Sequence, residues 1–436
     1  MSVLVLELAK HDAELTIVRD ICAGLAAALG TTAGVAFHDK WLPYALRALG
    51  SQQRMVRELA RLQLRRVLTG SQRGYPPELR ARVASQLLGL LSREARDYSS
   101  PSGIAAEHLL SEPDVLGFLC RDPALRKELA RAAGPPNAAE ARLRAATVAL
   151  NAVRLDPRLS DEFLPLLARL LRIARLDVLA TMGALECIQA AVLGQYYDGS
   201  AAVSTRGKHA TPPEVTALIL DTLIDPLIDL VKSDEPSLRN SALVTLCTLV
   251  GVTSLKDDHA TFDWKREAVF SKIAALLGGD DVVAATEAVR ALTYSEAGAG
   301  WVVSEETVLR RLAALALGKE ARAGGERAAA REALASALER RPGGLGGRVR
   351  AALEREAAAD WAAELTTDRG SGEERLAAKR LLRALIQTGW GAAGICGHPE
   401  ALRLALADRE AALPALDAAS APGRTFGCSL PYLLPP

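Results

Sequence analysis

Six segments of this chain carry an alanine followed four residues later by a leucine or isoleucine. The pairs are Ala146/Leu150, Ala184/Ile188, Ala242/Leu246, Ala288/Leu292, Ala330/Leu334 and Ala378/Leu382. Residues four apart lie on one face of an α-helix, so each pair marks a single helix face. The small alanine lets a neighbouring backbone approach closely, and the larger side chain fills the space beside it. Because a buried leucine contributes about 1.5–3 kcal/mol, we predict that these faces pack against other helices.

The spacing of the six alanines indicates a helical repeat. Successive alanines are 38, 58, 46, 42 and 48 residues apart, and armadillo and HEAT repeats have a period of about 40–47 residues. The longest step contains the 16 small or polar residues 198–213, without which it is 42 residues. We therefore predict an all-α solenoid of armadillo/HEAT-like repeats with a flexible insertion at 198–213. One helix pair cannot bury its own apolar face, so each repeat needs the next.

The clearest single repeat runs from Asp225 to Gly251. Asp225 is predicted to cap a helix that begins at Pro226, because the first position of a helix needs no backbone N–H. Pro236 is predicted to open the second helix, with Arg239 in its first turn and Gly251 as its C-terminal cap. The Asp-x-Pro-x-x-Arg sequence at this turn resembles the turn of a HEAT or armadillo repeat.

Composition agrees with helices throughout. Aromatic residues make up only 4% of the chain, and no segment alternates long enough to predict a sheet. Three regions are predicted, namely irregular N-terminal helical repeats at 1–136, regular repeats at 137–419 and a loose tail at 420–436. The predicted helices lie at 12–29, 52–69, 76–96, 139–154, 161–194, 213–250, 264–294, 305–317, 326–340 and 373–388. The glycine-rich stretch 343–347 is interpreted as a linker between helices.

No pattern in the sequence predicts catalysis. The six histidines are far apart and form no metal-binding spacing. No nucleophile elbow or phosphate-binding loop is present. The carboxylate pairs Asp257-Asp258 and Asp280-Asp281 are expected at helix starts, where they complement the helix dipole. We therefore expect a non-enzymatic protein with no catalytic residues, no cofactor and no bound metal.

The cysteines and the apolar segments bear on the compartment. Six cysteines are scattered without a CxxC pair, which favours free thiols in a reducing compartment. No signal peptide is recognised, and no run of 18 apolar residues predicts a membrane span. We expect a monomer in the cytoplasm or the nucleus that does not bind a membrane.

Charge is distributed unevenly and suggests where a partner binds. Residues 40–100 carry 12 basic and 4 acidic side chains, whereas residues 214–305 carry 7 basic and 15 acidic ones. Such polarity can orient a polar partner, although solvated helix faces would give the same pattern. The candidate partner-binding residues are Arg54, Arg57, Arg61, Arg65, Asp257, Asp258, Asp280 and Asp281.

The segment near the C-terminus resembles a known family. A helix ending at Leu385 is followed by Gly397-His398-Pro399, by Leu402-Arg403-Leu404 and then by Asp408-Arg409-Glu410. This order is similar to the end of the 26S proteasome non-ATPase regulatory subunit 5 family, although Ala411-Ala412 stand where Gly-Pro is expected. The resemblance implies a helical rod whose concave face binds the C-terminal domain of one proteasomal ATPase subunit. It implies a chaperone of base assembly that leaves before the mature particle forms.

Two alternatives remain open. One is another armadillo or HEAT scaffold or transport adaptor, but the Trp and Asn residues do not recur at one repeat position as they do in cargo adaptors of this type. The other is a helical-repeat protein that binds nucleic acid, which would need a base-reading set of residues in each repeat. No such set is present, and no aromatic residues are interleaved with the arginines of helix 52–69.

Overall fold

The computed structural model describes a chain of α-helices. The residues that it describes are 42–43, 45–51, 54–69, 75–93, 101–134, 139–172, 178–193, 213–253, 260–279, 281–319, 321, 324–340, 342–357, 360–366, 372–388, 395 and 397–406. Within these ranges there is no β-strand. The all-α helical-repeat solenoid predicted from the sequence is confirmed. Residues 198–212 of the predicted insertion 198–213 and the whole of the tail 420–436 lie outside the described residues, whereas Pro213 is the first residue of a helix.

The chain divides into two compact units, Met1–Leu230 and Val231–Pro436. The helices of the first unit are α1 Arg54–Thr69, α2 Pro77–Arg93, α3 Pro101–Leu110, α4 Pro113–Arg121, α5 Pro123–Ala132, α6 Ala139–Leu155, α7 Ser160–Arg172, α8 Val178–Leu193 and α9 Pro213–Val231. Helix α6 lies at the centre of this unit, where it packs against α2, α3, α4, α5, α7 and α8. The division falls in the last turn of α9.

The helices of the second unit follow the repeat more regularly. They are α10 Pro236–Thr253, α11 Ala260–Leu277, α12 Val282–Leu292, α13 Glu296–Ser304, α14 Glu306–Ala316, α15 Gly324–Arg340, α16 Pro342–Glu356, α17 Trp361–Thr366, α18 Gly372–Ile386 and α19 Pro399–Leu406. One layer runs in the order α10, α12, α15, α18 and α19, each helix packing against the next. A second layer runs in the order α11, α14, α16 and α17. Two stacked layers of helices are the arrangement that successive helical repeats produce.

The six Ala-Leu/Ile pairs lie in the core. They belong to α6 and α8 in the first unit and to α10, α12, α15 and α18 in the second. Every one of these twelve residues is at most 1% exposed. In the second unit the four helices that carry a pair are consecutive members of one layer. The pairs therefore mark the buried side of that layer, as the sequence predicts.

Proline starts many of the helices. Among the described helices, α2, α3, α4, α5, α9, α10, α16 and α19 have proline as their first residue. The first helical N–H has no partner in the helix, so proline loses nothing there and its fixed φ favours the helical turn. Asp122 adds a side-chain cap to α5, since its carboxylate accepts a hydrogen bond from the Ala124 N–H at 2.8 Å.

Two predicted boundaries of the clearest repeat are wrong. Pro226 does not start a helix but lies inside α9. Leu223 and Leu227, one turn apart on either side of it, are fully buried, and this packing outweighs the lost backbone hydrogen bond. Gly251 does not end α10, which continues to Thr253. A β-carbon at Gly251 would collide with the backbone carbonyl of Ala291, so glycine here permits the close approach of α10 and α12.

The glycine-rich stretch 343–347 is helical, not a linker. It forms the first turns of α16, where Leu345 and Val349 are buried. The predicted segments 161–194 and 264–294 each divide into two helices. Three short helices between residues 101 and 132 were not predicted, because each is too short to show clear periodicity. The predicted helix 12–29 lies outside the described residues.

Candidate protein-interaction face

One side of the second unit presents equivalent residues from successive repeats. The residue two positions after the paired alanine lies about 200° around the helix from it, on the opposite side. On α12, α15 and α18 this position holds Arg290, Glu332 and Arg380. Arg290 is exposed, and the other two side chains are 27% and 36% exposed. The positions of the buried alanines thus also indicate which residues form a row on the other, more exposed side of the layer.

Further exposed or half-buried residues lie on the same side of these helices. We define the ladder face as Asn240 and Val244 on α10, Val283, Glu287 and Arg290 on α12, Glu332 and Glu339 on α15, and Leu376 and Arg380 on α18. Val283 is 49% and Leu376 63% exposed, which is high for large apolar side chains. The ladder face therefore combines apolar and charged side chains, as protein-binding surfaces do.

Arg380 connects the ladder face across a repeat boundary. Its guanidinium forms an ion pair with Glu332 and another with Glu339 at 2.7 Å, and it donates to the Ser336 hydroxyl at 3.3 Å. The hydrogen bond to Glu339, together with the nearby Glu332 carboxylate, raises the pKa of Arg380 above its usual value. These contacts show that equivalent positions of α15 and α18 are side by side.

A second set of arginines joins successive repeats near the start of each helix. Arg239 and Arg327 both lie three residues before the paired alanine of their helix. Arg239 pairs with Asp281, the N-cap of α12, at 3.2 Å. Arg327 pairs with Glu374 in the first turn of α18 at 3.5 Å. In both cases the acidic side chain lies at a helix N-terminus, where the helix dipole also stabilises its charge.

Buried Arg331 holds three helices of the second unit together. It is 1% exposed and lies on α15. Its Nε donates to the carbonyl oxygen of Ala316, the last residue of α14, at 2.9 Å. Its Nη1 donates to the carbonyl oxygen of Glu374 on α18 at 3.2 Å. The positive charge therefore satisfies a helix C-terminus, where a backbone carbonyl otherwise lacks a donor.

The four predicted arginines lie together on α1 of the first unit. Arg54 is exposed, and Arg57 donates to the Ser51 carbonyl oxygen at 2.6 Å. Arg61 and Arg65 both pair with Glu112, at 3.7 and 2.6 Å. The prediction that these side chains share one helix face is confirmed, and part of their charge is neutralised within the unit.

The predicted acidic residues are only partly described. Asp257, Asp258 and Asp280 lie outside the described residues. Asp281 lies in the second unit, where it pairs with Arg239. That these residues contact a partner stays a prediction.

Three described cysteines are free thiols within the repeats. Cys120 and Cys187 are partly exposed and Cys247 is fully buried. Burial raises the pKa of the Cys120 and Cys187 thiols to about 11, and it raises that of Cys247 further. A thiol with a raised pKa stays protonated at neutral pH and behaves as a small apolar side chain. The expectation of unpaired, packed cysteines is confirmed for these three.

Glu107 on α3 is the one acidic group of the described residues whose pKa clearly departs from its usual value. Burial raises the pKa of Glu107 to about 7, although the neighbouring Arg144 guanidinium acts in the opposite direction. Arg144 lies on α6 and is only 4% exposed. Burial, and to a smaller extent the charge of Glu107, raises the pKa of the nearby Cys187 thiol. Glu107 is half-buried, and its charge changes near neutral pH.

Among the described residues there is neither a cluster of metal ligands nor a membrane-spanning helix. In this part of the chain no three His, Cys, Asp or Glu side chains lie close enough to hold a metal ion. None of the described helices is long and apolar enough to cross a membrane.

The turn that carries part of the family resemblance lies immediately before α19. Gly397, His398 and Pro399 connect to α19, and the N–H of His398 donates to the Ile395 carbonyl at 2.9 Å. The His398 imidazole contacts the Asp360 carboxylate at 2.6 Å, which links this turn to the start of α17. Arg383 on α18 donates to the carbonyl of Ala405 on α19 at 2.6 Å.

Comparison with known proteins places the fold among helical-repeat proteins. No protein-family model matches the chain, and no curated protein matches it. Among solved structures, the karyopherin Kap121p bound to the SUMO protease Ulp1p matches with a TM-score of 0.53 and 18% identity, over 95% of this chain and 39% of that one. Kap121p bound to Ste12p matches with a TM-score of 0.53 and 15% identity, over 92% and 37% of the two chains.

A third structure is the karyopherin Kap121p bound to the extreme C-terminus of the protein phosphatase Cdc14p. It matches with a TM-score of 0.52 and 16% identity, over 89% of this chain and 40% of that one. This chain thus spans about two fifths of the karyopherin it resembles. At such identities the likeness shows the fold alone.

The ladder face was not predicted from the sequence, although its signal is present. The distribution of charge in the sequence predicted partner contacts only on α1 and at the carboxylate pairs. The residue two positions after each paired alanine lies on the opposite side of the helix. In α12, α15 and α18 these residues are Arg290, Glu332 and Arg380. The ion pair between Arg380 and Glu332 depends on a tertiary contact that a single sequence does not display.

Proposed function

We propose that this chain is a non-enzymatic scaffold that binds a protein partner through the ladder face. The proposed partner is the C-terminal domain of one ATPase subunit of the proteasome base, bound during assembly in the cytoplasm or nucleus. The helical-repeat fold supports the first statement. The resemblance around Gly397-His398-Pro399 and Leu402-Arg403-Leu404 supports the second.

The observation that carries the proposal is the lateral contact between Arg380 and Glu332. Because α10, α12, α15 and α18 pack one against the next, and equivalent positions of α15 and α18 touch, the ladder face is one surface and not a set of separate helix edges. Several helices contribute to it, so it can cover a folded domain. A typical stable interface buries about 1,600 Å² in total, which a surface of several helices can supply.

The composition of the ladder face suggests how it acts. Exposed Val283 and Leu376 supply apolar contact area, which is the main source of binding free energy. Arg290 and Glu287 supply charges that set the orientation of a partner more than its affinity. A scaffold of this kind assists assembly by steric masking, since the bound surface is withheld until another subunit displaces the scaffold.

A transport adaptor is the second candidate function. The karyopherin Kap121p has been solved bound to the SUMO protease Ulp1p, to Ste12p and to the C-terminus of Cdc14p. An adaptor would use the same type of helical-repeat surface for a cargo protein. Only the identity of the bound protein separates the two functions.

Affinity purification of the tagged full-length chain from cell extract, followed by mass spectrometry, tests the proposal. Recovery of proteasomal ATPase subunits without the 20S core is the expected result. Recovery of transport factors and cargo, or of nucleic acid, in their place would overturn the chaperone assignment. A parallel purification with the Arg310→Glu variant, which changes an exposed arginine outside the ladder face, controls for unspecific charge effects.

A further inference from the structure

Helix α1 of the first unit carries an exposed leucine among arginines. Leu62 is 42% exposed, although most leucines of this unit are buried. Arg65 and Arg66 lie three and four residues after it, so they share its helix face. Both arginine side chains are exposed. Glu58, four residues before Leu62, is the one acidic side chain at these neighbouring positions and pairs with Arg61. An exposed leucine followed by two exposed arginines is an unusual composition for a helix face that only contacts water.

The positive charge of α1 is only partly neutralised within the unit. The helix contains five arginines, namely Arg54, Arg57, Arg61, Arg65 and Arg66. Two of them share the carboxylate of Glu112, and Arg61 also pairs with Glu58 at 3.1 Å. Arg54 and Arg66 make no ion pair within the described residues. Two carboxylates thus face five guanidinium groups, and a net positive charge is left on this surface.

Neighbouring helices increase this positive charge. Arg80 on α2 donates to the Leu68 carbonyl of α1 at 2.8 Å and lies over the Phe118 ring at 4.1 Å from its centre. Burial lowers the pKa of Arg80, and the nearby Arg121 guanidinium of α4 lowers it further. The effect of Arg121 shows that like charges are crowded where α1, α2 and α4 meet.

We infer that this basic surface, consisting of Arg54, Leu62, Arg65, Arg66 and Arg121, binds an acidic segment of a partner polypeptide that carries an apolar residue. Carboxylates of the segment would pair with the arginines that lack an internal partner. The apolar residue would cover Leu62. Both components of the ligand follow from what the surface leaves unsatisfied, which is positive charge and exposed apolar area.

The same observations favour a peptide over nucleic acid. Single-stranded nucleic acids need exposed aromatic rings on which bases stack. The aromatic ring at this surface, Phe118, is covered by the Arg80 guanidinium. The exposed side chain of Leu62 forms no favourable contact with a charged phosphate backbone.

This inference goes beyond the proposed function, because the surface lies in the first unit and the ladder face in the second. Its test therefore uses a defined ligand. The probe is a short dye-labelled peptide in which two leucines stand among glutamates, and binding to the full-length chain is followed by fluorescence anisotropy at low ionic strength. Two comparison probes are the same peptide with glutamine in place of glutamate and a single-stranded oligonucleotide of equal net charge.

The decisive variant is the combined Arg54→Glu and Arg66→Glu change. These side chains form no internal ion pair, so the fold is retained, and the circular dichroism spectrum and melting temperature verify this. We expect affinity for the acidic peptide to fall by about tenfold or more, and by about threefold in Leu62→Ser. Arg310→Glu, the matched change in the second unit, should leave it unchanged.

Several results would overturn the inference. They are absence of peptide binding at low ionic strength, equal binding of the glutamine peptide, and unchanged affinity in the Arg54→Glu and Arg66→Glu variant. Tighter binding of the oligonucleotide than of the acidic peptide would also overturn it, in favour of a nucleic-acid surface. Because the assay does not involve the ladder face, its outcome is independent of the purification that tests the proposed function.

Discussion

Arg380 and Glu332 hold the same position in two successive repeats, two residues after a buried alanine, and their side chains form an ion pair. The contact joins α18 to α15 on the side opposite to the core. It shows that a residue's position relative to the buried alanine indicates not only which side chains are packed in the interior but also which ones lie on the exposed side of these two repeats. The ladder face is a direct consequence of that register.

Charge reversal at Arg380 should weaken the boundary between these two repeats. In Arg380→Glu, the new carboxylate would face both Glu332 and Glu339. Because the site is partly exposed, we expect the free energy of unfolding to fall by only about 1–2 kcal/mol. Urea titration followed by circular dichroism measures this change. Adding Glu332→Arg to the same chain should recover part of the loss, and no recovery would mean that the two side chains do not interact.

Truncation of a leucine from one of the buried Ala-Leu/Ile pairs should be much more costly. Leu334 is fully buried beside Ala330, so Leu334→Ala leaves a cavity between α15 and its neighbours. We expect the free energy of unfolding to fall by about 2–5 kcal/mol. The matched control is Leu376→Ala, which removes a 63% exposed side chain and should change stability by less than about 0.5 kcal/mol. Equal effects of the two changes would contradict the assignment of the buried side.

Two glycines should respond in opposite ways to alanine. At Gly251 a β-carbon would collide with the Ala291 carbonyl, so Gly251→Ala should destabilise by about 1–3 kcal/mol. At Gly300, inside α13, no atom lies within 4 Å of the position of a β-carbon. Gly300→Ala should therefore stabilise by about 0.5–1 kcal/mol, because alanine favours the helix. Thermal unfolding of both variants provides the comparison, and a stabilising Gly251→Ala would rule out the close approach of α10 and α12.

Glu107 should make stability depend on pH. Its pKa is about 7 in the folded chain, above the ordinary value of 4.5 that applies when unfolded. The folded state therefore retains a proton that the unfolded state releases, so the contribution of Glu107 to stability is fully present below about pH 4.5 and is lost as the pH rises to about 7. Glutamine cannot ionise, so Glu107→Gln should abolish this loss in the free energy of unfolding, which is on the order of 3 kcal/mol between pH 4.5 and pH 7.

The measurement for Glu107 is a series of urea titrations from pH 4.5 to pH 8 on both proteins. The difference between the variant and the native chain should grow over this range and then level off. A difference that does not change with pH would contradict the raised pKa. Cys120→Ser serves as a control because its thiol, with a pKa of about 11, does not titrate in this range and is not influenced by Glu107.

The sequence contains most of the information about the buried side of the repeats. A four-residue spacing and a period near that of known repeats are local properties, and both persist in the structure as the row of pairs from Ala242 to Leu382. Proline at the start of α10 is another local signal, because its effect depends only on the adjacent turn. These features are predictable since helix periodicity and capping involve neighbouring residues.

The remaining features depend on contacts between distant residues. Pro226 lies within α9 because Leu223 and Leu227 are both buried, and no local rule reveals that burial. Glycines 343–347 become helical because Leu345 and Val349 find a packing surface. Similarly, the sequence shows a stripe of arginines on α1 but not that Glu112, some fifty positions away, neutralises two of them.

We propose that the ladder face binds the protein partner. This proposal is tested most directly by comparing affinity purifications of the native chain and of a chain carrying Val283→Asp and Leu376→Asp. Both side chains are exposed, so the variant should fold with an unchanged circular dichroism spectrum and melting temperature. We expect the variant to recover at least about tenfold less of the proteasomal ATPase subunits than the native chain does. Undiminished recovery by a correctly folded variant would contradict it.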